Sequence, residues 1–251
     1  MKTSMSARAA SDKDLQYRAS REKNEMSLCM AYIASKALYL AADSRSSFVQ
    51  KKNKISDMPC KMGIITDDFK KIFKINYFNV YGFSTGQNTY SFRCNYCSLP
   101  EIIPYLDFSG CKTLWDISFL IWNSLKSLVV NNEDPTRLRL FQYIEDDLYS
   151  SEIDFGQSDK LAITVNAHIQ PVDDMNYTYI IDGSPWLNAI HNSYDFPCFA
   201  DDEMHIIEFI EKYFSDMKKI SDIICGGIGE ATRILKVTST ESKWISGEYQ
   251  L

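Results

Sequence analysis

Residues 26–45 read Met26-Ser27-Leu28-Cys29-Met30-Ala31-Tyr32-Ile33-Ala34-Ser35-Lys36-Ala37-Leu38-Tyr39-Leu40-Ala41-Ala42-Asp43-Ser44-Arg45. Two short apolar runs are separated by the polar pair Ser35-Lys36 and closed by a charged triplet, a pattern that predicts a tight strand hairpin. Such a hairpin carries Asp43 and Arg45 back to the place where its first strand begins. A hydroxyl residue, Ser27, stands at that beginning.

The rest of the chain must supply a core around this hairpin. With 251 residues, a compact fold buries roughly 70–75% of the unfolded surface, so a single domain is the economical expectation. A net charge of −6 argues against a nucleic-acid binder, because phosphate contacts need clustered Lys and Arg. Seven cysteines, at 29, 60, 94, 97, 111, 198 and 225, lack the dense spacing of a disulfide scaffold and suit a reducing cytosol. Residues 1–26 carry no apolar segment of the secretory type, and no run reaches the eighteen or so apolar residues of a membrane span. A cytoplasmic protein without a membrane partner is expected.

Residues 1 to about 25 are small, polar and charged, which predicts a flexible extension. It reads as an inconsequential tail, as a propeptide that masks Ser27, or as sequence ahead of a second initiation site at Met26. Residues 46–70 read as a long polar loop. Lys71-Ile72-Phe73-Lys74-Ile75 and Val80-Tyr81-Gly82-Phe83 predict a second strand pair around Asn76, ending in Ser84-Thr85-Gly86. From Gln87 to Gly110 the pattern is poor, and Pro100 and Pro104 exclude a long helix.

Leu114, Ile117, Ile121, Leu125 and Leu128 mark one face of a helix over 112–129. The alternating stretch 161–169 predicts a strand, with Tyr177 to Ile181 as its antiparallel partner. A second helix is expected at about 202–219, with Ile207, Ile210, Phe214 and Met217 on one face and Asp201 or Asp202 as its cap. Strands from Thr232 to Val237 and near Lys243-Trp244-Ile245 close the chain.

The run Leu38-Tyr39-Leu40-Ala41-Ala42-Asp43-Ser44-Arg45 closely resembles the first hairpin of proteasome β-type subunits, members of the N-terminal-nucleophile (Ntn) hydrolases. Counting back sixteen residues from Asp43, the spacing of aspartate and nucleophile in that family, reaches Ser27, where the family carries its catalytic threonine. The resemblance implies an α+β fold, a four-layer αββα sandwich of two antiparallel sheets flanked by helices, over residues 27–251. It also implies a peptidase acting on peptides or unfolded protein, without a cofactor, in a homo-oligomeric ring with inward-facing sites, and an unfoldase as partner.

An N-terminal serine brings its own base, the α-amine, whose reference pKa of about 7.7–8.0 lies near working pH. A nearby lysine keeps positive charge at the site, and Asp43 would orient it. Lys71 is the candidate, since it precedes its strand as the family's catalytic lysine does. Gly86 falls where the family's turn supplies the oxyanion donor, allowing one inserted residue. Asp222-Ile223-Ile224-Cys225-Gly226 is similar to the family's Asp-x-x-Ser-Gly segment, which makes Asp222 and Cys225 candidates to support the amine. Arg45 belongs to the same hairpin motif, and Ser193 is the stand-in for the serine of a Gly-Ser-Gly turn.

Without the resemblance, a serine, an aspartate and a lysine are ordinary structural residues; their joint order and context carry the reading. Cys94-Asn95-Tyr96-Cys97 has zinc-ligand spacing, but no second such pair follows, which favours core or surface cysteines over a metal site. His168, His191 and His205 form no metal-binding pattern, and Cys29 is a weaker candidate nucleophile inside the strand. Two rivals remain: a catalytically impaired assembly subunit of the same fold, suggested by Cys225 and the missing glycines around Ser193, and a small-molecule Ntn amidase.

Overall fold

The structure is a computed structural model and describes residues 27–52, 59–86, 89–92, 95–129, 136–155, 163–166, 177–183, 202–224 and 227–247. The expectations for residues 1–26, Ser193 and Cys225 lie outside the described residues.

The opening hairpin forms from β1 (Leu28–Ala34) and β2 (Leu38–Asp43), in an antiparallel register running from Cys29 opposite Ala42 to Ile33 opposite Leu38. Ala34 N–H donates to the Ala37 carbonyl at 2.9 Å, and Ser35 and Lys36 stand exposed in the turn. Every residue of both strands is buried. Leu28, Met30, Tyr32, Tyr39 and Ala41 pack to one side, while Cys29, Ala31, Ile33, Leu38, Leu40 and Ala42 pack to the other. Burial on both faces is the reason the two runs are continuously apolar rather than alternating.

Residues 46–70 are not wholly a loop, since β3 (Ser46–Lys52) and β4 (Pro59–Thr66) pair there as an antiparallel hairpin. The second expected strand pair is present as β5 (Ile72–Ile75) and β6 (Val80–Thr85). Its turn contains Asn79 at φ 49°, a left-handed conformation that asparagine tolerates. Next come β7 (Thr89–Phe92) and β8 (Asn95–Ser98), a single helical turn α1 (Leu99–Ile102), and a 3-10 turn at Ile103–Tyr105. Pro100 and Pro104 occupy the first turns of those two short pieces, where a missing N–H costs nothing.

Helix α2 spans Leu114–Val129. Its start is a reciprocal cap: Asp116 N–H donates to Thr113 Oγ1 at 3.1 Å, while Asp116 Oδ2 accepts from the amides of Thr113 and Lys112 at 2.9 and 3.0 Å. Leu114, Ile117, Ile121 and Leu125 are buried as the spacing requires. The amides of Lys112 and Thr113 and the Thr113 hydroxyl hold the Asp116 carboxyl below its usual pKa. A carboxyl depressed in the folded state stabilises it fully above the unfolded value of about 3.9, and that stabilisation disappears as pH falls through the lower folded value. Asp116→Ala is therefore expected to lower the urea midpoint at pH 7 and to leave a shallower acid limb when unfolding is followed from pH 6 to pH 2.

The structure adds a long hairpin that the sequence reading passed over, β9 (Thr136–Ile144) and β10 (Asp147–Phe155), turning at Glu145-Asp146. Two further strands are found where expected, β11 (Ile163–Asn166) and β12 (Tyr177–Gly183), but they do not pair with each other. β11 adds to β10, whereas β12 adds to β1. Each lies where its apolar side chain extends an existing core: Ile163 packs on the cluster beneath α2, and Ile181 on the cluster around β1.

Helix α3 (Glu203–Ile224) starts at Asp202, whose Oδ1 accepts the amides of Met204 and His205 at 3.0 and 3.3 Å. It runs past the expected end near 219 and carries Asp222 in its last turn. β13 (Thr232–Val237) and β14 (Ser242–Ser246) complete the described chain.

The fold is α+β, with two five-stranded antiparallel sheets in the orders β12-β1-β2-β13-β14 and β11-β10-β9-β6-β5. Three apolar clusters organise it. One joins β5, β6, β9 and β10 to α1 and α2, through Phe73, Val80, Leu140, Ile153, Ile117 and Ile121 among others. A second joins β1, β2 and β13 to the Phe209, Tyr213 and Met217 face of α3. The third is built from the opposite faces of both sheets, with Ile33, Leu40 and Leu235 meeting Ile72, Phe83 and Phe141. No described helix is long and apolar enough to cross a membrane.

Candidate active site

Asp43, the last residue of β2, is 1% exposed, and its carboxylate is shared among four donors from separate parts of the chain. Oδ1 accepts from the Leu28 amide at 2.8 Å and from Lys71 Nζ at 2.6 Å. Oδ2 accepts from the amides of Arg45 at 3.1 Å and Gly229 at 3.2 Å. Lys71 immediately precedes β5 and is equally buried, with its carbonyl accepting from Ser84 N–H of β6 at 3.1 Å. An ion pair this deep in the protein is costly in desolvation unless its remaining valences are satisfied, and here three backbone amides complete the carboxylate.

Ser27 directly precedes Leu28 and is itself buried. One oxygen of Asp43 therefore holds both the lysine ammonium and the peptide N–H that follows Ser27. The hairpin register explains this placement, because β2 ends where β1 begins.

Arg45 contributes its amide to Asp43, and its guanidinium Nε bonds Asp67 at 2.5 Å. Arg233 of β13 pairs with Asp68, and Phe69 N–H donates to the Ser44 carbonyl at 2.7 Å. These contacts tie the segment leading into Lys71 to the ends of β2 and β13. A second charged group lies between the sheets: Arg139 of β9 bonds Asp182 of β12 at 2.8 Å and Glu152 of β10 at 2.6 Å.

Gly229 is a site residue that sequence reasoning missed. A Cβ there would stand 2.8 Å from the Arg45 amide nitrogen and 2.9 Å from Arg45 Cβ, so only glycine allows its N–H to reach Asp43. The only sequence signal was the Gly227-Ile228-Gly229 spacing. Gly229→Ala is expected to cost about 1–3 kcal/mol by overpacking, measured by urea unfolding, and to reduce any hydrolytic activity alongside.

Gly86 follows β6 with φ 81°, a left-handed conformation suited to glycine. Asp222 is not brought to the Asp43 cluster. It is exposed on the last turn of α3, and its carboxylate pairs with Lys218 one turn earlier. The preceding residue, Ser221, is fully buried, and its hydroxyl accepts from the amides of Gly227 and Ile228 at 2.9 and 3.1 Å. It thereby fixes the turn that presents Gly229. Cys29 lies against the Ser84 carbonyl. Burial pushes its thiol pKa well up, Lys71 pulls it down by less, and Asp43 and Asp182 add to the rise. A thiolate nucleophile is disfavoured there. Among the described residues no group of three or more His, Cys, Asp or Glu is placed to hold a metal ion.

The chain matches no protein-family model and no curated protein.

Proposed function

We propose that the chain is a proteasome-like Ntn peptidase whose nucleophile is Ser27, built on a four-layer αββα sandwich over residues 27–251. The observation that carries the reading is the buried Asp43 carboxylate joined at once to Lys71 Nζ and to the Leu28 amide. It is the arrangement that the Ser27, Asp43 and Lys71 positions call for. The three apolar clusters, one between the sheets and one beneath the helices on each outer side, support the layered fold.

In this reading, removal of residues 1–26 frees the α-amine of Ser27. The amine accepts the Oγ proton as Oγ attacks a peptide carbonyl, and the Gly86 N–H receives the developing oxyanion. The amine then passes the proton to the leaving amine, and water hydrolyses the ester left on Ser27. Lys71, held by Asp43 at 2.6 Å, presents its ammonium group beside the hydroxyl. Gly183, opposite Leu28 in the β1–β12 ladder, is followed in the chain by Ser184. Gly183-Ser184 is thus a nearer match to the family's Gly-Ser turn than Ser193. Unfolded protein as substrate, a cytoplasmic homo-oligomeric ring and an unfoldase partner belong to the same proposal.

One observation favours the rival of a non-catalytic subunit. Asp222, expected to support the amine, is occupied by Lys218. A chain released to begin at Ser27 by cleavage of a removable fusion separates the readings. Hydrolysis of fluorogenic peptides that is lost in Ser27→Ala supports the peptidase, cleavage of small amides alone supports the amidase, and a folded but inert chain supports the non-catalytic subunit.

A further inference from the structure

The connection from α3 to β13 reaches the Asp43 carboxylate through the Gly229 amide. Its downstream end is fixed by β13, where Ser44 N–H donates to the Ala231 carbonyl at 3.2 Å and Thr232 stands opposite Asp43 in the ladder. Upstream of that lies Gly227-Ile228-Gly229, and a glycine on each side of one residue leaves the backbone loosely constrained. Glycine permits the close approach of residue 229 to Arg45 but does not impose it. The approach leaves little latitude, since Oδ2 of Asp43 accepts from Arg45 and Gly229 together, at 3.1 and 3.2 Å.

The last turn of α3 supplies the constraint. Ser221 is fully buried, and its Oγ accepts from the amides of both Gly227 and Ile228, at 2.9 and 3.1 Å. Amides just beyond a helix ordinarily return to the carbonyls of its last turn, which any sequence offers. Here two of them converge on one side chain, so the position of the turn depends on the identity of residue 221. The Ile228 side chain, also fully buried, packs in the cluster beneath α3 and gives a second fixed point. Lys218 lies 3.7 Å from Glu230 as well, but the Glu230 side chain is 83% exposed, and a surface pair of that kind contributes little.

We propose that Ser221 positions Asp43: by fixing Gly227 and Ile228 it places the Gly229 amide on the carboxylate, and so sets how much of the Asp43 charge acts on Lys71 and residue 27. Ser221 is then a positioning residue for peptide hydrolysis, a role that rests on the peptidase reading, whereas the link from Ser221 to Asp43 does not. The charged groups around the carboxylate are Lys71, Arg45 with Asp67, Arg233 with Asp68 and, beyond Cys29, Asp182 with Arg139 and Glu152. Ser221 acts through the glycine turn rather than through these.

Urea unfolding at pH 7 tests the link without reference to activity. Ser221→Ala is compared in the wild-type chain and in Lys71→Met, where the three amides hold the carboxylate without the ammonium. The cost of Ser221→Ala to the folding equilibrium constant is expected to be about fivefold greater in the Lys71→Met background, because the two sites are coupled through Asp43. A residue that merely ends α3 costs the same in both. Ser221→Cys, similar in size and a weaker acceptor, replaces Ser221→Ala in both backgrounds if circular dichroism shows the double variant to be unfolded.

In the chain that begins at Ser27, loss of the Gly229 bond leaves more negative charge on Asp43, which favours the protonated α-amine. The acid limb of kcat for fluorogenic peptides in Ser221→Ala is therefore expected to move to higher pH by about half a unit. Ser118→Ala, which removes an equally buried hydroxyl between α2 and β10, lowers stability and leaves the limb in place. A wild-type chain that is inert while the fivefold coupling is present removes the peptidase reading and retains the link. Equal costs in the two backgrounds overturn the link, and an active chain whose acid limb does not move in Ser221→Ala overturns the positioning role.

Discussion

Asp43→Ala is expected to lower the unfolding free energy by about 3–5 kcal/mol, the cost of breaking a buried ion pair by removing one partner. Lys71 Nζ is left buried, and Asp43 is the acceptor recorded for it among the described residues. The amides of Leu28, Arg45 and Gly229 lose the same carboxylate. Asp43→Asn should recover part of this loss, because an amide oxygen still accepts from the backbone while the charge of Lys71 goes unmatched. Urea unfolding of the two variants beside wild type measures both steps. Equal and small losses, under about 1 kcal/mol, would mean that the cluster contributes no more than a surface ion pair.

Lys71→Met is expected to act mainly on chemistry. The Asp43 carboxylate keeps its three backbone donors, so the stability loss is smaller than for Asp43→Ala. On the peptidase reading, hydrolysis by the chain that begins at Ser27 falls by about a hundredfold or more, since no cation remains to favour deprotonation at residue 27. The expected signature is a drop in kcat with KM little changed, because Lys71 is buried away from any peptide side chain. A Lys71→Met chain that hydrolyses like wild type would remove the lysine from the mechanism.

The strongest sequence signals came from segments buried on both faces. β1 and β2 are continuous apolar runs whose turn, register and terminal aspartate could be read directly, whereas Lys71 was singled out only by the resemblance, from its place just before a strand. β9 alternates Leu138 and Leu140 with Arg137 and Arg139, a strand pattern that was passed over, and those arginines are retained by partners remote in sequence, Asp182 and Glu152. The pairing of β11 and β12 with each other looked natural from proximity along the chain. It failed because each strand extends a different sheet, a choice made by distant edges rather than by local pattern.

Three of the four donors to Asp43 had no side-chain signature at all. The amides of Leu28, Arg45 and Gly229 are backbone donors, and a backbone donor is visible in sequence only when glycine betrays a close approach. Asp222 illustrates the reverse. Its spacing to the following glycines matched a motif, yet α3 continues through it and turns its carboxylate toward Lys218. The helix favours that pair because residues four apart share a face.

The central claim is that Ser27, once it is the first residue, is the nucleophile beside Lys71 and Asp43. Peptide mapping by mass spectrometry, after exposure of the chain that begins at Ser27 to a peptidyl electrophile, tests it most directly. The account predicts one covalent adduct, located on Ser27 and absent from both Ser27→Ala and Lys71→Met. An adduct on any other residue, or none on a folded chain that begins at Ser27, would contradict it.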